Sequence, residues 1–321
     1  MKCWPTDGAG PLLHIALIAM LFGLQFALPQ YDHLILTRVM VLATLAVGYN
    51  ILYGYTGLLS LGHAMFFAAG LYGAGLTAYY FGWEAPAALV AGVFAGLVFA
   101  FLVGLVALRT TGVAFMIVTM MFSHAAFLLT LYLGDYTRGD EGITLPEAAR
   151  RFALFGLQVD LTSAAVRYNL ALLLLAIAIA VTFVLVRSPS GRVLVAIREN
   201  EDRATMLGYD SFRYKLFALT LSGTIAAAAG AAYALLFAYV GASFASIQYS
   251  IFPLLWTLLG GAGTVAGPFL GTLAMTYLID FTSEYTSAYL LVVGVLLVVL
   301  ILFFPKGILG TLREKWMPWL P

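Results

Sequence analysis

Apolar residues form runs of about 20 along most of this chain, and short polar stretches separate them. A helix of about 20 apolar residues crosses the roughly 30 Å hydrocarbon layer of a bilayer. Ten such segments are predicted, at about residues 11–28, 34–53, 58–80, 86–108, 112–133, 165–187, 215–240, 247–260, 266–281 and 286–304. The pattern therefore predicts an all-α integral membrane protein, with one domain over residues 1–321 and about ten transmembrane or re-entrant helices.

The eighth and ninth segments are shorter than the others and contain glycine and proline. Backbone groups left unpaired at membrane depth have to be buried in protein or line a watery cavity. We therefore interpret 247–260 and 266–281 as a broken or re-entrant pair.

The fourth and seventh segments carry small residues at every fourth position. These ridges comprise Ala88, Gly92, Gly96, Ala100 and Gly104, and Ala218, Ser222, Ala226, Gly230, Ala234 and Ala238. On a helix such a ridge allows another helix to approach closely. One ridge in each half is compatible with an internal duplication and equally with ordinary tight packing.

Two polar stretches, 134–164 and 188–214, interrupt the apolar pattern. If all ten segments cross and the N-terminus is cytoplasmic, eleven basic residues lie in the cytoplasm and five outside. The cytoplasmic set is Lys2, Arg109, Arg187, Arg192, Arg198, Arg203, Arg213, Lys215, Lys306, Arg313 and Lys315, and the outer set is Arg38, Arg138, Arg150, Arg151 and Arg167. This asymmetry follows the positive-inside tendency and predicts a cytoplasmic loop 188–214, an external loop 134–164 and two cytoplasmic termini.

Composition supports membrane residence. Hydrophobic residues make up 63% of the 321 residues and charged residues only 10%, whereas soluble domains carry about 25% charged residues. The net charge of +1 gives no reason to expect a nucleic-acid partner. Because the first ten residues lack the basic start and cleavage site of a secretory signal, we expect the first apolar run to be a retained span.

Enzymatic chemistry has no recognisable motif in the sequence. There is no phosphate-binding G-x-x-x-x-G-K-[ST] loop and no H-E-x-x-H or paired-cysteine spacing. The glycine-rich string 261–267 lies between membrane segments, without the βαβ unit of a dinucleotide site. His63, Ser123 and His124 match no triad or metal spacing. We therefore predict a non-catalytic chain with no cofactor or metal of its own.

Three glycines within residues 54–62 precede the third apolar run, which predicts a turn or an unwound helix start. Ser60 and His63 are spaced one helical turn apart, so a helix would place them on one side. Two interpretations remain open: these side chains line a solute path, or they form hydrogen bonds between helices in a buried seam.

The loop 188–214 contains the signals of two short helices. Ser190 is a candidate cap for the first, whose apolar face would be Val193, Leu194 and Ile197. Asn200 is a candidate cap for the second, and Gly208 a natural terminator. Apolar residues among the charges favour a docking element over a solvated loop.

On the outer side, the stretch 137–142 is either a contact for a delivery protein or a polar turn.

Several motifs in order resemble one family. Gly57–His63, Gly191–Glu201 with Leu207–Gly208, and Leu259–Thr264 with Gly267–Pro268 are similar to stretches in permeases of branched-chain amino-acid ABC importers, of the LivM type. The resemblance covers about residues 40–310. It implies an all-helical permease of the bacterial-type inner (plasma) membrane.

The resemblance also implies partners and roles. A second related permease, two cytoplasmic ATPases that bind ATP and an external solute-binding protein would complete the importer. Residues expected along the solute pathway are Gly57, Ser60, Gly62, His63, Gly260, Gly261 and Gly263. Residues expected to couple to an ATPase are Arg192, Ile197, Arg198, Glu199, Asn200, Glu201, Leu207 and Gly208.

The chain departs from the family pattern in two places. Arg138 stands where the family commonly has glycine, which leaves the solute and the binding-protein contact open. Asp202 and Arg203 stand where small residues are usual, which suggests a matched ATPase.

Relatives also import urea, short amides or aromatic acids. A further alternative is an ion-coupled transporter that works alone, although Asp280 and Glu284 lie near a membrane edge rather than the middle.

Overall fold

The computed structural model describes residues 9–154, 157–286 and 306–315, with isolated positions between 287 and 305. Its helices are α1 (Ala9–Leu24), α2 (Gln30–Asn50), α3 (His63–Tyr80), α4 (Ala85–Ala107), α5 (Gly112–Tyr132), α6 (Gly134–Thr137), α7 (Ala164–Arg187), α8 (Pro189–Glu199), α9 (Glu201–Met206), α10 (Ser211–Phe237), α11 (Gln248–Gly260), α12 (Gly267–Tyr285) and α13 (Gly307–Lys315). A π-helix, Ile51–Tyr55, continues α2. The described part of the chain is therefore mainly helical.

The first nine predicted segments correspond to helices in this structure. The tenth, 286–304, falls mostly on residues outside the described part. Among the residues that the structure describes, five helices are long and apolar enough to cross a bilayer, namely Gln30–Tyr55, Ala85–Ala107, Gly112–Tyr132, Ala164–Arg187 and Ser211–Phe237. The chain is thus a multi-pass membrane protein, and the total of about ten crossings stays a prediction.

The core of the bundle is formed by α3, α4 and α10, which pack against one another. The two predicted ridges of small residues lie in this core and are buried, except for Ala238, which ends α10 in a left-handed conformation. A Cβ atom on Gly230 would lie 1.9 Å from the Phe67 carbonyl oxygen, and one on Gly70 would lie 1.9 Å from the Ala227 oxygen. The absence of side chains at these positions is what lets the backbones of α3 and α10 touch.

The helix α2 is the second organising element. From Val39 to Ile51 its residues are buried, and it packs against α7, α10, α11 and α12. The neighbouring α11 has 13 residues and is about 20 Å long, too short to cross the hydrocarbon layer. The predicted short eighth segment is therefore confirmed as a short helix. The ninth segment was predicted too short, since α12 has 19 residues. The re-entrant course of the pair stays a prediction.

The polar stretch 134–164, predicted as an external loop, contains three short strands. β1 (Ile143–Thr144) pairs antiparallel with β4 (Tyr239–Val240), and β2 (Arg151–Leu154) pairs antiparallel with β3 (Leu157–Asp160). These pairs are two to four residues long. The strands β1, β2 and β3 lie outside the predicted spans, whereas β4 occupies the last two residues of the predicted seventh segment, 215–240. These short ladders pair backbone N–H and C=O groups that are not in helices.

Arg150 fixes this loop to the end of α10. Its side chain is buried and donates hydrogen bonds to the carbonyl oxygens of Leu235 (3.1 Å), Leu236 (3.1 Å) and Leu161 (2.9 Å). The guanidinium charge lies where the dipole of α10 is negative. Since α10 has 27 residues and is about 40 Å long, the loops 134–164 and 188–214 lie at opposite ends of the bundle.

Candidate functional site

The chain is unwound between the π-helix and α3, as the three glycines predicted. Gly57 has φ of +77°, and a Cβ atom there would lie 2.7 Å from Cγ of Arg198. Both the backbone conformation and the contact require glycine. This segment, residues 56–62, therefore passes directly beneath the helix α8.

Ser60 and His63 do not share a helix, which corrects the expected common face. Ser60 lies in the unwound segment, where its Oγ accepts a hydrogen bond from the Gly62 amide at 3.2 Å, and His63 begins α3. Both side chains are completely buried. Residues three positions apart share a face only when both lie in a helix. The helix α3 begins at His63, three residues after Ser60.

His63 belongs to a hydrogen-bond chain between helices. Its Nε2 lies 2.8 Å from Oγ of Ser222 in α10, and that hydroxyl donates to the carbonyl oxygen of Gly48 at 2.6 Å. Because the single Ser222 proton goes to Gly48, His63 has to donate through Nε2, which assigns its tautomer. The His63 Nδ1 atom has no hydrogen-bond partner within the described structure.

Two further hydroxyl groups hold the start of α3. Oγ of Ser250 in α11 accepts a hydrogen bond from the Ala64 amide at 2.9 Å, and Oγ1 of Thr119 in α5 accepts from the Leu61 amide at 3.2 Å. These residues satisfy orphan amides at a helix start. Sequence reasoning missed Ser250 and Thr119, since single hydroxyl residues in apolar helices give no signal of what they contact.

The late glycine turn, residues 261–266, meets the same region. Asn50 donates through Nδ2 to the Thr264 carbonyl oxygen at 2.9 Å and accepts through Oδ1 from the Gly263 amide at 2.9 Å. A Cβ atom on Gly54 would lie 2.5 Å from the Gly263 nitrogen. The two glycine motifs, far apart in sequence, are therefore in contact. Gly260 packs its backbone against Gly267 at the start of α12.

The predicted pair of short helices in 188–214 is present as α8 and α9. The first cap is Ser188 rather than Ser190, because Pro189 occupies the first helical position; Ser188 Oγ accepts from the Gly191 amide at 3.1 Å. Asn200 caps α9 as expected and accepts from the Arg203 amide at 2.9 Å. Gly208 follows the end of α9 with φ of +90°.

The coupling residues differ in what they face. Ile197, with Val193 and Leu194, is buried inside this chain. Met206 and Leu207 are 85% and 77% exposed. The exposed apolar surface of the element is therefore its tip, defined here as Met206–Tyr209, and not the apolar face of α8.

Two charged contacts join the element to the membrane helices. Arg198 donates through Nη1 to the carbonyl oxygen of Gly54 in the π-helix, and its Nη2 lies 3.0 Å from Oε1 of Glu199. Glu201 forms an ion pair with Lys215, whose side chain is buried near the start of α10. The element is thus connected both to the glycine turn region and to α10. Arg192, another residue expected to couple to an ATPase, has an exposed side chain.

At the other end of the bundle, Arg138 adopts a left-handed conformation with φ of +56°. Glycine favours this region, which explains why glycine is the residue expected here from the family pattern. Arg138 donates through Nη2 to the hydroxyl group of Tyr79 at 2.9 Å. Arg138 therefore keeps the backbone turn that glycine favours and adds a side-chain contact with Tyr79.

Comparison with known proteins gives a consistent result. The sequence model of the family described as branched-chain amino acid transport system / permease component matches residues 33–304. The chain is 29% identical over 95% of its length to the high-affinity branched-chain amino acid transport system permease protein LivM of Escherichia coli K12, covering 76% of that protein. Its Salmonella typhimurium LT2 counterpart is 28% identical, with the same coverage.

A shorter match involves the probable branched-chain amino acid transport permease protein LivM of Methanocaldococcus jannaschii. It is 29% identical over 39% of this chain and 41% of that protein. No solved structure matches the chain.

Proposed function

This chain belongs to the branched-chain amino acid transport permease family, and from that premise we propose that it forms half of the solute pathway of an ATP-binding-cassette importer for branched-chain or related amino acids. A second related permease would form the other half. Two cytoplasmic ATPases would bind and hydrolyse ATP, and an external binding protein would deliver the solute. The complex would reside in a bacterial-type inner membrane, with both termini of this chain in the cytoplasm.

The observation that carries the proposal is the double anchoring of the α8–α9 element. Arg198 contacts the π-helix beside the glycine turn, and Glu201 pairs with Lys215 on α10. A permease without a nucleotide pocket has to receive work mechanically. Displacement of this element would be transmitted to α2 and α10, because packed helices move as rigid bodies between discrete arrangements.

The tip Met206–Tyr209 supports docking to an ATPase. Large apolar side chains that are exposed in a charged, extramembrane loop are typical of an interaction surface. Leu207 would fill an apolar pocket on the ATPase. In this scheme Arg198 and Glu201 transmit the motion inside the permease, and the tip makes the contact with the partner.

The experiment compares two variants at one position in the assembled importer. Leu207→Asp places a charge in the apolar contact, and we expect ATP hydrolysis stimulated by the leucine-loaded binding protein to fall about tenfold or more. Leu207→Met keeps an apolar side chain of similar volume and should stay within about twofold of wild type. Equal activity of both variants would contradict the docking role.

The same reconstituted system separates the remaining candidate solutes and mechanisms. Uptake of leucine is expected to require ATP and all partner subunits. Urea, short amides and aromatic acids serve as alternative solutes in the same assay. Leucine uptake by this chain alone, driven by an ion gradient, would replace the proposal with a secondary transporter.

A further inference from the structure

Arg38 is a charged residue within a membrane-spanning helix. It lies about 12 Å along α2 from its first residue, between the buried residues Thr37 and Val39, and its own side chain is exposed in this chain. A charge at this depth is costly in lipid and is found facing protein or a watery cavity. Arg38 therefore points to a polar function on this side of the bundle.

No aspartate or glutamate forms an ion pair with Arg38 in the described part of the chain. The acidic residue nearest to it on α2, Asp32, accepts a hydrogen bond instead from the Tyr277 hydroxyl group at 3.2 Å. The helices α10 and α11 pack against α2 and bring the hydroxyl groups of Tyr233 and Tyr249 within interaction range of the Arg38 guanidinium group. A positive group flanked by hydroxyls is the arrangement that suits a carboxylate.

The two tyrosines belong to an aromatic cluster. Ring centroids are 4.8 Å apart between Tyr233 and Phe244, 4.9 Å between Phe244 and Tyr249, and 5.9 Å between Phe67 and Tyr249. These rings come from α3, α10, α11 and the short 3-10 helix Ala242–Ala245. Phe67, Tyr233 and Phe244 are buried and hold the cluster together, while the Tyr249 ring is partly exposed and forms its accessible face.

The cluster lies at the end of the bundle that carries the loop 134–164. Tyr233 is one helical turn from the end of α10, where Arg150 and β4 hold that loop. This is the end predicted to be external. A solute released by a binding protein would meet Arg38 before it reached the buried seam of His63.

We propose that Arg38, with the hydroxyl groups of Tyr233 and Tyr249, binds the carboxylate of the transported amino acid, while the partly exposed ring of Tyr249 contacts its aliphatic side chain. The inference rests on the proposed function, because it assumes that an amino acid passes through this chain. Arginine presents two parallel N–H donors to a carboxylate, which gives orientation as well as attraction. A carboxylate group on the partner permease has the same chemistry and is distinguished by experiment.

The first arm measures ATP-driven uptake of labelled leucine by the complete importer in proteoliposomes. Arg38→Gln removes the charge, and we expect the initial rate to fall about tenfold or more. Arg38→Lys keeps the charge but lacks the two parallel N–H donors of the guanidinium group, and it should give an intermediate rate. The matched control is Arg151→Gln at the same end, where Arg151 is exposed and pairs at 3.3 Å with Glu147 and Asp160; its rate should stay within about twofold.

The second arm measures binding to the paired permeases in nanodiscs, without binding protein or ATP, by saturation-transfer NMR. Leucine should give a methyl signal that leucinamide, which lacks the carboxylate, does not. The leucine signal should disappear in Arg38→Gln and persist in Arg151→Gln. Equal signals from leucine and leucinamide, or an undiminished leucine signal in Arg38→Gln, would overturn the assignment.

Copurification separates the two sources of carboxylate. Loss of the second permease from the Arg38→Gln complex would show that Arg38 pairs with that subunit, which overturns the solute assignment. A wild-type importer that transports no amino acid would instead refute the proposed function. Normal leucine transport in both wild type and Arg38→Gln would refute only the role of Arg38.

Discussion

At the scale of single residues, the main finding is that one buried amide holds two distant glycine motifs together. Asn50 makes both of its hydrogen bonds to the turn 261–266, more than 200 positions later in the chain. Gly54 leaves the space that the Asn50 side chain occupies, since a Cβ atom there would lie 2.0 Å from Oδ1. Buried polar groups of this kind stabilise one arrangement, because breaking them leaves unsatisfied partners in a medium without water.

Asn50→Ala should therefore lower the free energy of unfolding by about 2–4 kcal/mol, since two buried hydrogen bonds of the Asn50 side chain to the turn 261–266 are lost. The measurement is thermal unfolding of the purified protein in detergent. Asn169→Ala is the control: the Asn169 side chain is partly exposed and bonds to Gln25 at 3.0 Å, so its loss should cost less than about 1 kcal/mol. Equal shifts for both variants would show that the Asn50 contacts contribute little.

At the scale of elements, the structure depends on close contact between α3, α4 and α10. The fourfold spacing of small residues predicted that α4 and α10 would each present a narrow ridge, and this is confirmed. The partner of each ridge could not be predicted, because the small residues of α3 at these contacts, Gly70, Gly73 and Ala74, stand in a helix that also carries many large apolar residues. Likewise, the glycines of 54–62 indicated an unwound stretch without indicating its end, so Ser60 was assigned to the wrong face.

Gly230→Ala should prevent α3 and α10 from approaching, because the added Cβ would meet the backbone oxygen of Phe67, which cannot move away without separating the helices. We expect a loss of at least about 3 kcal/mol in stability, and a low yield of monodisperse protein. Gly23→Ala on α1 is the matched control, since no atom lies within 4 Å of its added Cβ. Wild-type yield and melting temperature for Gly230→Ala would contradict the close-contact geometry.

At the scale of the whole molecule, the sequence periodicity predicted the helices well and the loops poorly. Apolar runs mark spans because the bilayer imposes their length, whereas β1 to β4 are two to four residues long and depend on pairing between distant segments. The coupling residues show the same contrast. The caps and the terminator of α8 and α9 are local signals, but the contacts of Arg198 and Glu201 arise only when the element packs on the bundle.

The account requires that the α8–α9 element and the loop 134–164 face opposite sides of the membrane, with the element toward the ATPases. Labelling with a membrane-impermeant maleimide tests this in a Cys3→Ser background, using Leu207→Cys at the tip and Tyr136→Cys, at a position 63% exposed, in α6. In cells that express the permeases without the ATPases, which would cover the tip, we predict that Leu207→Cys reacts only in inverted vesicles and that Tyr136→Cys reacts only in intact cells. Reaction of Leu207→Cys in intact cells would place the element outside and contradict the account.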